Sequence, residues 1–145
     1  VSLRESTMPL GRRVSKDVAE LHEADRELAA GYTERLAAAN EAERALREAQ
    51  GGAVPPEELR ELTVAFDRAL TEALTAAEAA ERAAMGPKVY APDPQDAKAQ
   101  RAAEIAARKA KATPSVRPWT DEVDRLRTAR EAHRLGFRTQ PTAAV

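Results

Sequence analysis

Six pairs of residues in this chain have numbers that sum to 105: Leu46 with Leu59, Ala39 with Phe66, Leu36 with Ala69, Tyr32 with Ala73, Leu28 with Ala77, and Leu21 with Ala84. A constant sum is the mark of two antiparallel rods folded about a turn near residue 52. Five of the six pairs set a large residue against an alanine, the way facing layers interdigitate at close approach. The pattern predicts an all-α protein built on a long antiparallel, alanine-rich helical hairpin. Its expected seam is Leu21, Leu28, Tyr32, Leu36, Leu46, Leu59, Phe66, Ala69, Ala73 and Ala77.

Periodicity and punctuation agree with that reading. Val14, Val18, Leu21, Ala24, Leu28, Tyr32, Leu36, Ala39, Ala42, Leu46 and Ala49 share an arc of about 140° on a helical wheel. Arg35 and Asp25 interrupt the rows that a 3.5-residue repeat would need, so a nearly straight helix is expected rather than a supercoil. Ser15 reads as its N-cap, with Asp17 on the side the helix dipole favours. Pro55 and Pro56, followed by Glu57 and Glu58, open a second helix that Gly86 and Pro87 close. Four segments follow: a basic irregular arm over 1–14, an acidic helical hairpin over 15–86, an extended linker over 87–93, and a basic C-terminal arm over 94–145. That last arm is expected to hold two short helices, one over 94–112 capped by Asp93 and one from Thr120 to Leu135, on proline-containing linkers.

Composition limits the core these helices can build. Alanine supplies 33 of the 145 residues, while Leu, Ile, Val and Phe together supply 24. That is about 17%, below the ~20% at which disorder becomes an issue, but the net charge of -1 lacks the other half of the disorder signature. Long helices without a compact globule are therefore expected. The charge is also unevenly placed. Residues 17–86 carry 7 basic and 16 acidic side chains, whereas residues 87–145 carry 12 basic and 7 acidic ones.

Nothing in the sequence points to catalysis. There is no cysteine, and the two histidines, His22 and His133, have no partner at a metal-ligand spacing. His22 projects away from the Leu21 stripe and reads as a solvated surface side chain. No catalytic, cofactor-binding or metal-binding residue is expected, and neither is a small-molecule substrate. No apolar run approaches a membrane span, and no apolar stretch follows Arg12 and Arg13, so the expectation is a soluble chain made in the cytoplasm and not membrane-associated. The terminal Thr142–Val145 segment has the small, apolar character of a bacterial C-terminal degron, but an alanine-rich chain often ends this way by chance, which is the simpler reading.

The remaining candidates are docking residues. Trp119, Val123, Leu126 and Phe137 fall on one side of the last helix, accompanied by Arg127, Arg130 and Arg134. Four apolar residues on one short helix form no core alone, so the patch must dock on something, and the acidic hairpin of the same or a neighbouring chain is the obvious candidate. Val89 and Tyr90 should fold back over the start of the first helix or reach into a partner. A two-helix hairpin is marginal by itself, so association with protein is expected to supply the missing burial. The function expected is that of a non-enzymatic structural or assembly protein. By fold-level analogy it suits a minor component or assembly factor of a bacteriophage particle, incorporated into the virion, or of another bacterial multi-subunit assembly. The alternative is a nucleic-acid-binding accessory protein using the basic face of Lys98, Arg101, Arg108 and Lys109 and the C-terminal arginines.

Overall fold

The computed structural model describes residues 15–139, with side chains through Gly136; the expected 1–14 arm, the Phe137 contact and the degron-like C-terminal segment lie outside what is described. The described residues are all helical in their regular structure. The helices are α1 (Lys16–Ala30), α2 (Tyr32–Gln50), α3 (Pro56–Met85), α4 (Ala97–Lys111) and α5 (Arg117–Thr139), with a 3₁₀ turn at Pro87–Val89 between α3 and α4.

Local chemistry accounts for most of the boundaries. The Ser15 hydroxyl accepts the Val18 N–H at 3.1 Å, satisfying one of the orphan donors at the start of α1. Pro55 and Pro56 open α3, where a missing N–H costs nothing. Gly86 ends it at φ 95°, a left-handed conformation that a side chain would strain.

Three boundaries differ from expectation. The first rod is interrupted at Gly31 (φ -91°, ψ 5°), so it forms two helices instead of one. Glycine is the weakest helix former after proline, and here its N–H turns to the Leu28 carbonyl, three residues back. Arg35 still donates its N–H to the Gly31 carbonyl at 3.0 Å, so the break is one residue deep. Asp93 does not cap α4. Its carboxylate accepts the Gln95 N–H in a tight local turn, and Asp96 caps the helix by accepting from Ala99 at 3.0 Å. Finally, α5 starts three residues before Thr120, with Pro118 tolerated in its first turn, and it continues through Gly136. A glycine with no proline directly behind it is a weak stop.

The central helix is α3. Both α1 and α2 pack along it in the opposite direction, with His22 meeting Ala83, Asp25 meeting Arg82 and Arg35 meeting Glu72. On its other side α5 also runs antiparallel to it: Thr120 reaches Glu81, Arg127 reaches Glu78 and Arg134 reaches Asp67. Buried residues of α3 therefore cover more than the expected single stripe. Phe66, Leu70, Ala73, Leu74, Ala76, Ala77, Ala79 and Ala80 spread over an arc of about 220°. One cluster joins Ala39 and Leu46 of α2, Phe66 to Ala77 of α3, and Val123 and Leu126 of α5.

The expected seam is not evenly covered. Ala73 and Ala77 are completely buried, and Leu46 and Phe66 are in the core. Tyr32, Leu36, Leu59 and Ala69 pack on its margin. Leu21 and Leu28, by contrast, are 42% and 41% exposed. The less exposed residues of α1 are Val18, His22, Asp25 and Ala29, and on the helical wheel Leu21 and Leu28 fall to one side of them, at the margin of the contact with α3. The arrangement makes a direct demand on Ala73, which has no free surface. Ala73→Leu should cost about 1–3 kcal/mol by overpacking, read as a lower urea midpoint at unchanged slope, whereas Ala65→Leu on the exposed side of α3 should be close to neutral.

Candidate interaction site

The apolar patch on α5 is occupied within the chain itself. Val123 and Leu126 are 2% and 1% exposed. Trp119 lies half-buried, edge-on to Tyr32 with ring centroids 5.2 Å apart and planes at 84°, and the Tyr32 hydroxyl donates to Glu122. Of the two docking surfaces open to this helix, the same chain's or a neighbour's, the structure places it on the same chain's.

The arginines of α5 follow the patch onto α3. Arg127 reaches Glu78 at 2.8 Å, and Arg134 grips Asp67 through two bonds of 2.7 and 3.1 Å. Arg130 meets the Thr71 hydroxyl at 3.4 Å. The Arg134 hydrogen bonds and charge hold the Asp67 carboxyl below the usual carboxylate range, against a smaller opposing effect of burial. His133 donates from Nε2 to the Thr63 carbonyl at 2.9 Å, and its ring lies 4.7 Å from that of Phe66. Solvent-exposed pairs of this kind contribute little to stability. They fix register: burial of Val123 and Leu126 holds α5 down, and the ion pairs decide how far along α3 it sits.

A second polar cluster ties α1, α3 and the 3₁₀ turn together. Asp25 is the one buried charged residue among those described, at 6% exposure. Arg82 donates to both its oxygens at 2.8 and 2.9 Å, and the Tyr90 hydroxyl donates to Oδ2 at 2.6 Å. Burial pushes the Asp25 carboxyl up, but the hydrogen bonds from Arg82 and Tyr90 and the guanidinium charge outweigh it and hold the group below its ordinary value. Burial and the neighbouring carboxylate push the Tyr90 phenol up. Tyr90 thus folds back on α1, while Val89 sits half-buried in the turn. His22 is not a solvated side chain. Its Nε2 donates to the Ala83 carbonyl at 3.1 Å and its ring stands edge-on to Tyr90. Sequence reasoning missed this cluster, although Asp25 carried a signal: it sits within the apolar side of α1, nearly opposite Arg82 in the constant-sum pairing.

The cations of α4 are used differently. Ala99, Ala103, Ala106 and Ala110 turn inward, and Gln100 clamps the preceding linker by donating to the Ala91 and Asp93 carbonyls at 3.0 and 2.9 Å. Lys98, Arg101, Arg108 and Lys109 all face solvent around Ile105, itself 43% exposed. Among the described residues none of these four cations takes part in an ion pair. Among the same residues no group of three or more His, Cys, Asp or Glu side chains could hold a metal ion, and no helix is long and apolar enough to cross a membrane. No protein-family model, curated protein or solved structure matches this chain.

The Asp25 cluster has a defined pH signature. A carboxyl with a depressed folded pKa adds stability that is present above its unfolded value, near 3.8, and is lost as the pH falls through the lower folded value. Asp25→Asn should therefore destabilise by roughly 1–2 kcal/mol at pH 7, allowing for solvent screening of the half-exposed Arg82. Urea titrations of the two proteins should converge as the pH is lowered from about 5 to below 3.8.

Proposed function

We propose that this protein is a non-enzymatic structural or assembly component that acts through helical protein–protein contacts and self-associates. The observation that carries the reading is the division of labour among its cations. Arg127 and Arg134 of α5 are spent on carboxylates of α3 and Arg125 on Glu122 of its own helix, whereas the cations of α4 stand exposed around an unburied isoleucine. A helix whose alanines pack inward while its outer face joins four cations to a large apolar residue is suited to a second, intermolecular contact. In this reading the hairpin of α1, α2 and α3, braced by α5, is the rigid part, and α4 is the connecting part. A minor component or assembly factor of a bacteriophage particle or other bacterial multi-subunit assembly is the role such a body fits, by analogy of fold alone.

The same unpaired cations favour one competing reading, in which α4 tracks nucleic-acid phosphates. Against it, no aromatic side chain accompanies them on α4 for base stacking, and α5, the other basic helix, is engaged internally. Size-exclusion chromatography with light scattering separates the two. At 50 mM salt the mass should exceed that of the 15.7 kDa monomer and rise with concentration. A chain that stays monomeric at every concentration, yet binds duplex DNA with a steep salt dependence, replaces this reading with the nucleic-acid one.

A further inference from the structure

The outer face of α4 has a counterpart on the same molecule. At 100° per residue, Lys98, Arg101, Ala102, Ile105, Arg108 and Lys109 occupy an arc of about 120°, all exposed, with no acidic side chain among them. On α1, Asp17, Glu20, Leu21, Ala24, Glu27 and Leu28 also occupy an arc of about 120°. These six are all exposed as well, and none is basic. The two patches are equal in length, each spanning about 16 Å of helix at 1.5 Å per residue. Each combines one sign of charge with unburied aliphatic surface: Ile105 on α4, and Leu21 and Leu28 on α1.

The match extends to spacing. Glu20 and Glu27 stand seven residues apart, as do Arg101 and Arg108, so in either direction the two carboxylates can meet two guanidiniums across two helical turns. Both patches are exposed in one chain at once, so they do not cover each other within it. We infer that α4 of one copy docks on the outer face of α1 of a second copy, packing Ile105 against Leu21 and Leu28 and pairing the cations of α4 with the carboxylates of α1. This rests on the self-association proposed above and names its surfaces. The contact joins two different patches, so it either closes reciprocally into a two-fold dimer or repeats head to tail. Burial of Leu21, Leu28 and Ile105 supplies attraction, and the opposed charges exclude α4-to-α4 and α1-to-α1 pairing. Because the charges lie at the surface, association should weaken as the Debye length falls from about 10 Å at 0.1 M salt to about 3 Å at 1 M.

Charge reversal with cross-rescue tests the pairing on the full chain. One variant carries Arg101→Glu and Arg108→Glu, the other Glu20→Lys and Glu27→Lys; circular dichroism should show both as helical as the parent, since all four side chains point to solvent. Each variant alone should associate at least tenfold more weakly at 50 mM salt, and an equimolar mixture should recover the parental mass by light scattering. Ile105→Ala should weaken association with the charges intact. Parental self-association that neither reversal disturbs would overturn the pairing while leaving the assembly reading standing. Failure of the mixture to recover would also overturn it. If the α4 reversal abolished binding to a 20-base-pair duplex while the α1 reversal left the mass unchanged, the basic face would belong to nucleic acid. A parent that is monomeric throughout would instead remove the assembly reading on which the pairing rests.

Discussion

Everything in this structure depends on how closely other helices can approach α3. Its buried side chains from residue 73 onward are alanines with a single leucine, Leu74, so neighbouring backbones can draw near without a thick layer of large residues between them. Close approach has two consequences. It brings backbone-level partners such as the Ala83 carbonyl within reach of a side chain on α1. It also limits how much large apolar surface the contact can enclose, since most of the buried residues of α3 at this end are alanines. The opposite end of α3 carries Phe66 and Leu70, and there α2 and α5 both find a thicker core.

A hairpin made only of α1, α2 and α3 would bury one stripe and remain marginal. Helix α5 changes that balance by adding Val123 and Leu126 to the same cluster and covering a second face of α3. Part of the burial expected from association is thus provided within the chain. The polar chemistry follows the same geometry. Carboxylates along α3 that give the hairpin its acidic character become the docking partners of α5, so the acidic and basic segments neutralise each other in part along that contact. The cations on the outer face of α4 and the carboxylates Asp17, Glu20 and Glu27 on the outer face of α1 take no part in that contact.

The helices themselves were legible, because apolar period, N-cap chemistry and the Gly86–Pro87 stop are local signals read over a few residues. The constant-sum register was legible only in part: His22 meets Ala83 at a sum of 105, but Asp25 meets Arg82 and Arg35 meets Glu72 at 107, and Leu21 and Leu28 of the expected seam are exposed. Two kinds of feature were not legible. The break at Gly31 depends on one residue whose weak propensity competes with a favourable helix on either side, and nothing nearby decides that contest. The Asp25 cluster depends on partners 57 and 65 residues away, and a carboxylate on the edge of an apolar stripe reads as surface until Arg82 and Tyr90 are placed beside it. For the same reason the arginines of α4 and α5 looked alike in sequence. Periodicity groups cations on a face but says nothing about what that face meets.

The packing of α5 into the core of its own chain is what sets this arrangement apart from a bare hairpin. Residue-resolved amide hydrogen exchange at 500 mM salt, with the chain held at low concentration, tests this most directly. The amides of Val123 and Leu126 should be protected to the same degree as those of Leu70 and Leu74, because all four side chains share one cluster. Exchange of α5 at unfolded-peptide rates, with α2 and α3 still protected, would contradict it.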